Sequence, residues 1–473
     1  MFGKLKKVHF VGIGGSGMSG IALVLKNLGF DVSGSDLREN RVTNRLRQAG
    51  INVWIGHDPA NCNDAEVVVY STAIKEDNPE VTAAYARGIP VIKRAEMLAE
   101  LMRLKFSIAI SGSHGKTTTT SLVTHILIRA GLDPTAVIGG IVIGADAGAR
   151  LGQSEYLVAE ADESDRTFLF LYPTVAVVTN IEPEHLDCYR SLADLKREFV
   201  RFVNRVPFYG SVILGLDSPA VRGIRRSVMR RVVTYAVDNL ADFQARDIQL
   251  YRWSSAFSLL YRGAEVGRFS LGMAGKHNIQ NALAAIAVGV ELGIDFKTIE
   301  QALATFSGVH RRLEKRGEEG KIVVYDDYGH HPTEVRVTIE TLRHAYSEKR
   351  ILVVFQPHRY TRTKLLSEEF GVSFDKADEV IVTGIYPAGE AVIPGVDETR
   401  IVDAVKRRGR SGLVVHHISD LGSVPEFLCS RLKGDEVILT LGAGSITNLA
   451  GEVLKMLREG NKRGGEKESE ERK

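Results

Sequence analysis

Three glycine-rich elbows, each directly behind a short apolar run, constrain this chain more than any other feature. They are GIGGSG after Val8 to Val11, SGSHGKT after Phe106 and its apolar run, and LGAGS near Leu441. A buried strand that ends in glycines and leads into a helical pattern is a strand–turn–helix unit. Such units pack as parallel sheets covered by helices. The runs Ile108 to Ile110 and Val437 to Leu441 before the second and third elbows read as buried strands, as do Val67 to Tyr70, Leu157 to Ala159, Val175 to Val178, Ile351 to Phe355 and Val380 to Val382. The expected class is α/β with doubly wound parallel sheets. One stretch departs from the rhythm: from about Val232 to Ser270 the residues alternate, which predicts a small antiparallel meander.

The 473 residues are about three times the ~150-residue domain prior. A helix over Ala95 to Leu104 meets a new strand near Lys105, and the stretch QALATF ends a second unit near Phe306 to Val309. The expected division is 1–105, 106–307 and 308–460. Residues 461–473, NKRGGEKESEERK, carry no apolar side chain and are expected to form a disordered tail. Lys and Arg number 61 against 58 Asp and Glu, a formal +3 that gives no ground for a nucleic-acid or membrane-surface partner. No apolar run approaches the ~18 residues of a membrane span. The basic N-terminus turns at once into a glycine elbow, so it reads as a first strand and not as a signal peptide. Cys62, Cys188 and Cys429 lie far apart and fit neither a disulfide framework nor metal spacing, which points to free thiols in the cytoplasm.

The second elbow carries the sharpest chemistry. Gly112 and Gly115 allow backbone N–H groups to turn toward phosphate oxygens at a helix N-terminus, with Ser113 and His114 between them and Thr118 just beyond. Lys116 suits the β/γ-phosphates, and the Thr117 hydroxyl suits Mg²⁺. Ile110 stands where the usual pattern begins with glycine. In the first elbow Gly12, Gly14 and Gly17 match a dinucleotide fingerprint, and Asp36, 19 residues beyond Gly17, is placed as a ribose-binding carboxylate. Alone, that pattern describes an NAD-dependent oxidoreductase. The same geometry cradles other nucleotides equally well, so the fingerprint leaves the nucleotide open.

Acids follow the next strand. Glu160 and Asp162 share one face of an extended segment and Glu163 takes the other. Glu160 occupies the position of a Mg²⁺ ligand downstream of a P-loop, and His185, after Val175 to Val178, is a candidate second ligand. Asn278 and Asn281, three apart at a helix start, are either caps or adenine contacts. His330 and His331 are adjacent and diverge, which argues against a chelating pair. Arg359 and Arg362 suit bidentate recognition of a carboxylate or phosphate. His416 and His417 lie in a predicted strand with no acidic partner in sight.

Taken in order, HFVGIGGSGMSG, GSHGKTTT, EADESD, TNIEPEHLD, KHNIQNALAA, GVHRRLE, DDYGHHPTEV and QPHRYTRT resemble the motifs of the Mur ligases, the ATP-dependent ligases of peptidoglycan precursor assembly, and within them the alanine-adding branch. The motifs span residues 9 to 362, and LGAGSI extends the resemblance into the third domain. The resemblance implies a Rossmann-like UDP-binding domain, a P-loop ATPase-type central domain and a Rossmann-like C-terminal domain. It implies ATP and two Mg²⁺ ions, with UDP-N-acetylmuramate and L-alanine as small-molecule substrates, and leaves open monomer or dimer. Gly14, Ser16 and Gly17 would lie near the diphosphate and Asp36 near the nucleoside. Thr117 and Glu160 would hold one Mg²⁺, Glu160 and His185 the other. Asn278 and Asn281 would meet adenine, with Arg312 and Asp326 or Asp327 near the nucleotide. Arg359 and Arg362 would hold the alanine carboxylate, with His330 and His358 close by. Sister ligases commonly carry a carbamylated lysine where this chain has Phe199, with Lys196 three residues earlier. A murein-tripeptide recycling ligase of the same family is the alternative, and the GGSGMSG loop speaks against it.

Overall fold

The computed structural model describes residues 5–71, 73–138, 149–150, 152–184 and 188–470. It contains three sheets. The first has five strands, all parallel, in the order Asn52–Ile55, Asp31–Asp36, Lys7–Val11, Val67–Tyr70, Val91–Lys93. Strand order reverses beside Lys7–Val11, so a crevice opens at its carboxyl end where the first glycine elbow lies. The elbow then starts the helix Ser16–Asn27, whose Met18, Ile21, Ala22, Val24 and Leu25 are buried against the sheet.

The second sheet has ten strands in the order Ala264–Leu271, Ser255–Tyr261, Phe243–Leu250, Arg231–Ala236, Ser211–Gly215, Val175–Val178, Phe106–Ser111, Tyr156–Glu160, Thr135–Val137, Ala149–Arg150. The P-loop strand Phe106–Ser111 lies between the strands that lead into the two acidic motifs, parallel to both. All three therefore end on one edge of the sheet. The antiparallel meander is shorter than the alternation suggested. Arg231–Ala236 runs parallel to Ser211–Gly215, because the helix Pro219–Ile224 connects them as a crossover and returns the chain in the same direction. Within the predicted meander the antiparallel pairs join Phe243–Leu250, Ser255–Tyr261 and Ala264–Leu271, and at the opposite edge of the sheet Thr135–Val137 pairs antiparallel with Ala149–Arg150.

On one face of this sheet the P-loop helix Lys116–Arg129 packs Leu122, Val123, Ile126 and Leu127 against Ile279, Leu283 and Ile286 of the helix Lys276–Glu291. On the other face one apolar cluster runs from Phe10 and Ile21 through Met97, Leu98 and Met102 to Phe168, Phe199 and Phe202. The first two sheets thus share a continuous core. Phe199 is fully buried, its ring 5.4 Å from Phe168, so it serves this chain as an aromatic core residue. The Tyr172 ring is flanked at the same junction by the guanidiniums of Arg103, 5.1 Å away, and Arg205, 4.8 Å away.

The chain divides by packing into two units, 1–250 with 254–309, and 251–253 with 310–473. The second unit holds the third sheet, in the order Glu314–Glu319, Ile322–Asp327, Glu436–Leu441, Arg350–Phe355, Glu379–Val382, Val414–His417. Five strands are parallel, and the charged edge strand Glu314–Glu319 is antiparallel to its neighbour. His416 and His417 do have acidic partners. Nε2 of His416 lies 3.0 Å from Glu379, and Nε2 of His417 lies 2.9 Å from Glu398, carboxylates that only the fold brings near. The last helix, Leu449–Glu470, continues through most of the expected tail. Lys, Arg and Glu are good helix formers, and a helix already nucleated on a core propagates through them readily. Among the described residues no helix is long and apolar enough to cross a membrane.

Candidate active site

The P-loop is shaped by glycine where no other residue fits. Gly112 has φ +131° and Gly115 has φ +82°. A Cβ on Gly112 would lie 2.1 Å from Thr179 Oγ1, and one on Gly115 would lie 2.4 Å from Asn281 Oδ1. The segment after Val175–Val178 clamps the loop from outside. The N–H of Ser113 donates to Asn180 O at 3.0 Å and that of His114 to Asn180 Oδ1 at 2.9 Å. Thr179 Oγ1 and Asn180 Nδ2 donate to His114 O at 2.7 and 3.1 Å. The Glu182 N–H donates to Ser113 Oγ at 2.9 Å, and His114 Nε2 lies 3.4 Å from Glu182 Oε2. Sequence reasoning missed this clamp, although a Thr-Asn pair directly after a strand beside the P-loop was the available signal.

Lys116 and Thr117 open the helix Lys116–Arg129, and Thr118 is buried in its first turn. Lys116 Nζ donates to Gly112 O at 2.6 Å and to Glu163 Oε1 and Oε2 at 3.0 and 3.1 Å. Burial opposes the Lys116 charge. Glu163, Asp162 and Glu184 outweigh it and hold the ammonium above the ordinary lysine value. Glu163, with no exposed surface, is therefore the residue on the lysine's side of the acidic segment.

Glu160 ends the strand Tyr156–Glu160, in register with Ile110 of the P-loop strand. Glu160 and Asp162 line a cleft of about 250 Å³ that is also lined by Gly15, Gly17, Met18, Ser71 and Arg94. The first glycine elbow and the acidic segment thus face one space. Gly14 donates its N–H to Asp36 Oδ2 at 2.8 Å, so Asp36 is tied to the elbow itself. Ser16 begins the helix Ser16–Asn27. A Cβ on Gly17 would meet Arg94 Nη1 at 2.7 Å. Arg94 is the only cation lining the cleft among the described residues. It comes from the far strand Val91–Lys93 and the helix start behind it, which no local pattern announces. His185 lies outside the described residues.

Asn278 and Asn281 do not cap their helix, since Gly275 holds the N-cap position. Asn278 Nδ2 donates to Ala274 O at 2.8 Å, and Asn281 Oδ1 accepts from Thr119 Oγ1 at 3.3 Å, which sets Asn281 against the P-loop helix. Both asparagines are less than one-tenth exposed.

In the second unit the predicted residues gather at the carboxyl ends of Ile322–Asp327 and Arg350–Phe355. The His330 and His358 rings are 5.4 Å apart, and His358 stacks on Tyr386 at 5.6 Å. Arg362 Nη1 lies 3.2 Å from His358 Nδ1. Burial, and then the neighbouring His330, Arg362 and Arg359, press the His358 imidazole down to about 3, so it is neutral near pH 7. Arg359 has φ +72° and lies 3.7 Å from Glu390. His331 caps the helix Pro332–Ala345, accepting from the Thr333 N–H at 3.3 Å, so the two adjacent histidines diverge. Arg312 sits over the Tyr328 ring and 3.6 Å from Glu334. Asp326 is fully buried and accepts from Thr440, Thr447 and Arg311. Burial pushes its neighbour Asp327 up to about 6, with Arg312 pulling the other way.

The donor set fits a magnesium nucleotide. Gly112 and Gly115 form a cradle that any Cβ would fill, at a helix N-terminus whose first N–H groups lack intrahelical partners. Thr117 and Glu160 offer oxygen ligands of the kind Mg²⁺ prefers, from adjacent strand ends.

Comparison with known proteins agrees in order and extent. The Mur ligase family catalytic domain matches residues 7–106, the Mur ligase middle domain 110–289, and the Mur ligase glutamate ligase domain 311–444. A UDP-N-acetylmuramate–L-alanine ligase of Geobacter sp. is 50% identical over 458 residues, covering 97% of this chain and 99% of that protein. One from Myxococcus xanthus is 51% identical over 453 residues, covering 96% and 95%. The crystal structure of UDP-N-acetylmuramate–alanine ligase from Thermotoga maritima superposes with a TM-score of 0.80 at 29% identity, covering 96% of this chain and 99% of that one. With its three sheets, its P-loop and its acidic strand ends matched along nearly the whole length, the chain belongs to the Mur ligase family.

Proposed function

We propose that this chain joins L-alanine to the lactyl carboxylate of UDP-N-acetylmuramate, giving UDP-N-acetylmuramoyl-L-alanine, ADP and phosphate. The observation that carries the reading is the cleft shared by the first elbow, Arg94, Glu160 and Asp162, one strand away from the P-loop. It offers a diphosphate site and carboxylates suited to Mg²⁺ in one space. Relatives of about 50% identity over nearly the full length support alanine as the acceptor and give no support to the recycling alternative.

A carboxylate is a poor electrophile, so the reaction needs a leaving group on it. Transfer of the γ-phosphoryl group of ATP to the lactyl oxygen makes an acyl phosphate. The alanine amine attacks its carbonyl carbon, and the tetrahedral intermediate expels phosphate as the amide forms and the amine gives up its proton. Lys116 contributes the fixed positive charge that the transferring phosphoryl group requires. Thr117 with Glu160, and Glu160 with His185, would hold two Mg²⁺ ions, which neutralise phosphate charge when bound. Asn281, set against the P-loop helix, supports a nucleotide-contacting role for the Asn278–Asn281 helix start. Arg359 and Arg362 are suited to the alanine carboxylate. The neutral His358 beside Arg362 leaves that guanidinium as the cation of the pair.

Mass analysis of the sugar nucleotide after incubation with ATP, Mg²⁺ and L-alanine tests the proposal. The expected product carries a single alanyl group. A product formed only with a preassembled tripeptide would favour the recycling ligase, and no product with either would reject the ligase reading.

A further inference from the structure

Lys116 is already fully committed to protein acceptors. An ammonium has three protons. Four acceptor atoms surround this one: Gly112 O at 2.6 Å, Glu163 Oε1 and Oε2 at 3.0 and 3.1 Å, and Ser113 O at 3.3 Å. A phosphate oxygen reaches Nζ only if one of them gives way. The two carbonyls belong to the loop whose shape makes the cradle, and Thr179 and Asn180 pin that loop. Glu163 is a side chain, and as an anion it repels the incoming phosphate. It is the group that yields.

We propose that Glu163 is a positioning residue that competes with the nucleotide phosphate for Lys116, so that nucleotide binding exchanges the Glu163–Lys116 pair for a phosphate–Lys116 pair. The inference rests on the reading that the Gly112–Thr118 loop binds ATP. Glu163 is suited to this work because it is built in: it has no exposed surface, and its own carbonyl accepts from Tyr189 and from the Arg166 N–H. It keeps a part-buried ammonium paired and aimed across the loop between turnovers. It also makes every phosphate ligand, the ADP product included, bind against a cost. The segment thus divides its labour by strand alternation, with Glu160 and Asp162 lining the cleft and Glu163 turned to the lysine.

The test uses the full-length protein and Mg·ADP, read by titration calorimetry and by melting with and without ADP. Glu163→Gln removes the competing charge while keeping the shape. It is expected to bind ADP roughly ten-fold more tightly than wild type, because the Glu163–Lys116 ion pair no longer has to be broken. The same variant should melt at lower temperature without ADP and gain more from ADP than wild type does, since only the nucleotide-free form has lost a partner. Glu163→Asp, which retains the charge but lengthens the pair, should bind ADP about two- to three-fold more tightly, and it decides the question if the glutamine variant does not fold. Equal or weaker ADP binding in either folded variant would overturn the proposal, because Glu163 would then stay with Lys116 in the bound enzyme. No ADP binding by wild type would instead reject the ATP reading, and the exchange with it.

Discussion

Replacing Gly112 with alanine perturbs the nucleotide loop at its tightest point. At φ +131° the backbone lies in a region that side chains rarely enter, a strain of ~1–3 kcal/mol. The new methyl would meet Thr179 Oγ1 at 2.1 Å, which hydroxyl rotation can relieve in part. It would also meet Asn180 O at 2.9 Å and Asn180 N at 3.0 Å, which are backbone atoms and cannot rotate away. Separating the loop from Asn180 breaks the hydrogen bonds from the Ser113 and His114 N–H groups, each worth ~1 kcal/mol. The total is about 3–5 kcal/mol, spent on the shape of the cradle, so ADP affinity should fall ~100- to 4,000-fold. The first elbow is a separate structure, so UDP-N-acetylmuramate binding should stay within ~2-fold of wild type. Calorimetric titration of Gly112→Ala with Mg·ADP and, separately, with the sugar nucleotide reads both quantities. ADP binding within ~3-fold of wild type would refute the reasoning about the cradle. Parallel loss of both ligands would mean that the two nucleotides have been assigned to the wrong loops.

Arg94→Ala removes the cation lining the shared cleft and should raise the KM for UDP-N-acetylmuramate ~10- to 100-fold while leaving ADP affinity intact; steady-state kinetics with ADP titration checks this. Arg362→Ala should raise the KM for L-alanine ~10-fold or more with little change in the KM for ATP, and an unchanged alanine KM would remove Arg362 from the carboxylate site. The His358 imidazole has a folded-state value depressed below the free 6.5, so its contribution to stability is fully present above about pH 6.5 and is lost as pH falls toward 3. NMR should find it neutral at pH 5, and His358→Gln should flatten the loss of melting temperature between pH 6.5 and 4; a protonated ring at pH 5 would contradict the burial argument.

The grammar of strand, glycine elbow and helix is local, so the fold class and the three elbows were legible from the residues alone. The places of Lys116 and Thr117, a few residues beyond a strand end, and of Glu160, at one, were legible for the same reason. The partners that define their state were not. Glu163 reaches Lys116 across 47 residues, and Arg94 reaches the first elbow from the start of another helix. Asp326 illustrates the limit: its carboxylate is taken by Thr440 and Thr447, more than 100 residues away. The direction of Arg231–Ala236 was misread because alternation reports burial on one face and says nothing of parallel or antiparallel pairing. His416 and His417 looked unpartnered for a similar reason, their acids lying on elements 37 and 19 residues earlier in the chain.

The central claim is that the P-loop, the acidic strand end and the arginine–histidine cluster serve one amide-forming reaction. Phosphate release from ATP in the presence of UDP-N-acetylmuramate and Mg²⁺, measured with and without L-alanine, tests it most directly. Release that requires both the sugar nucleotide and L-alanine, in step with amide formed, is the predicted result. Release indifferent to the amino acid, or none at all, would contradict it.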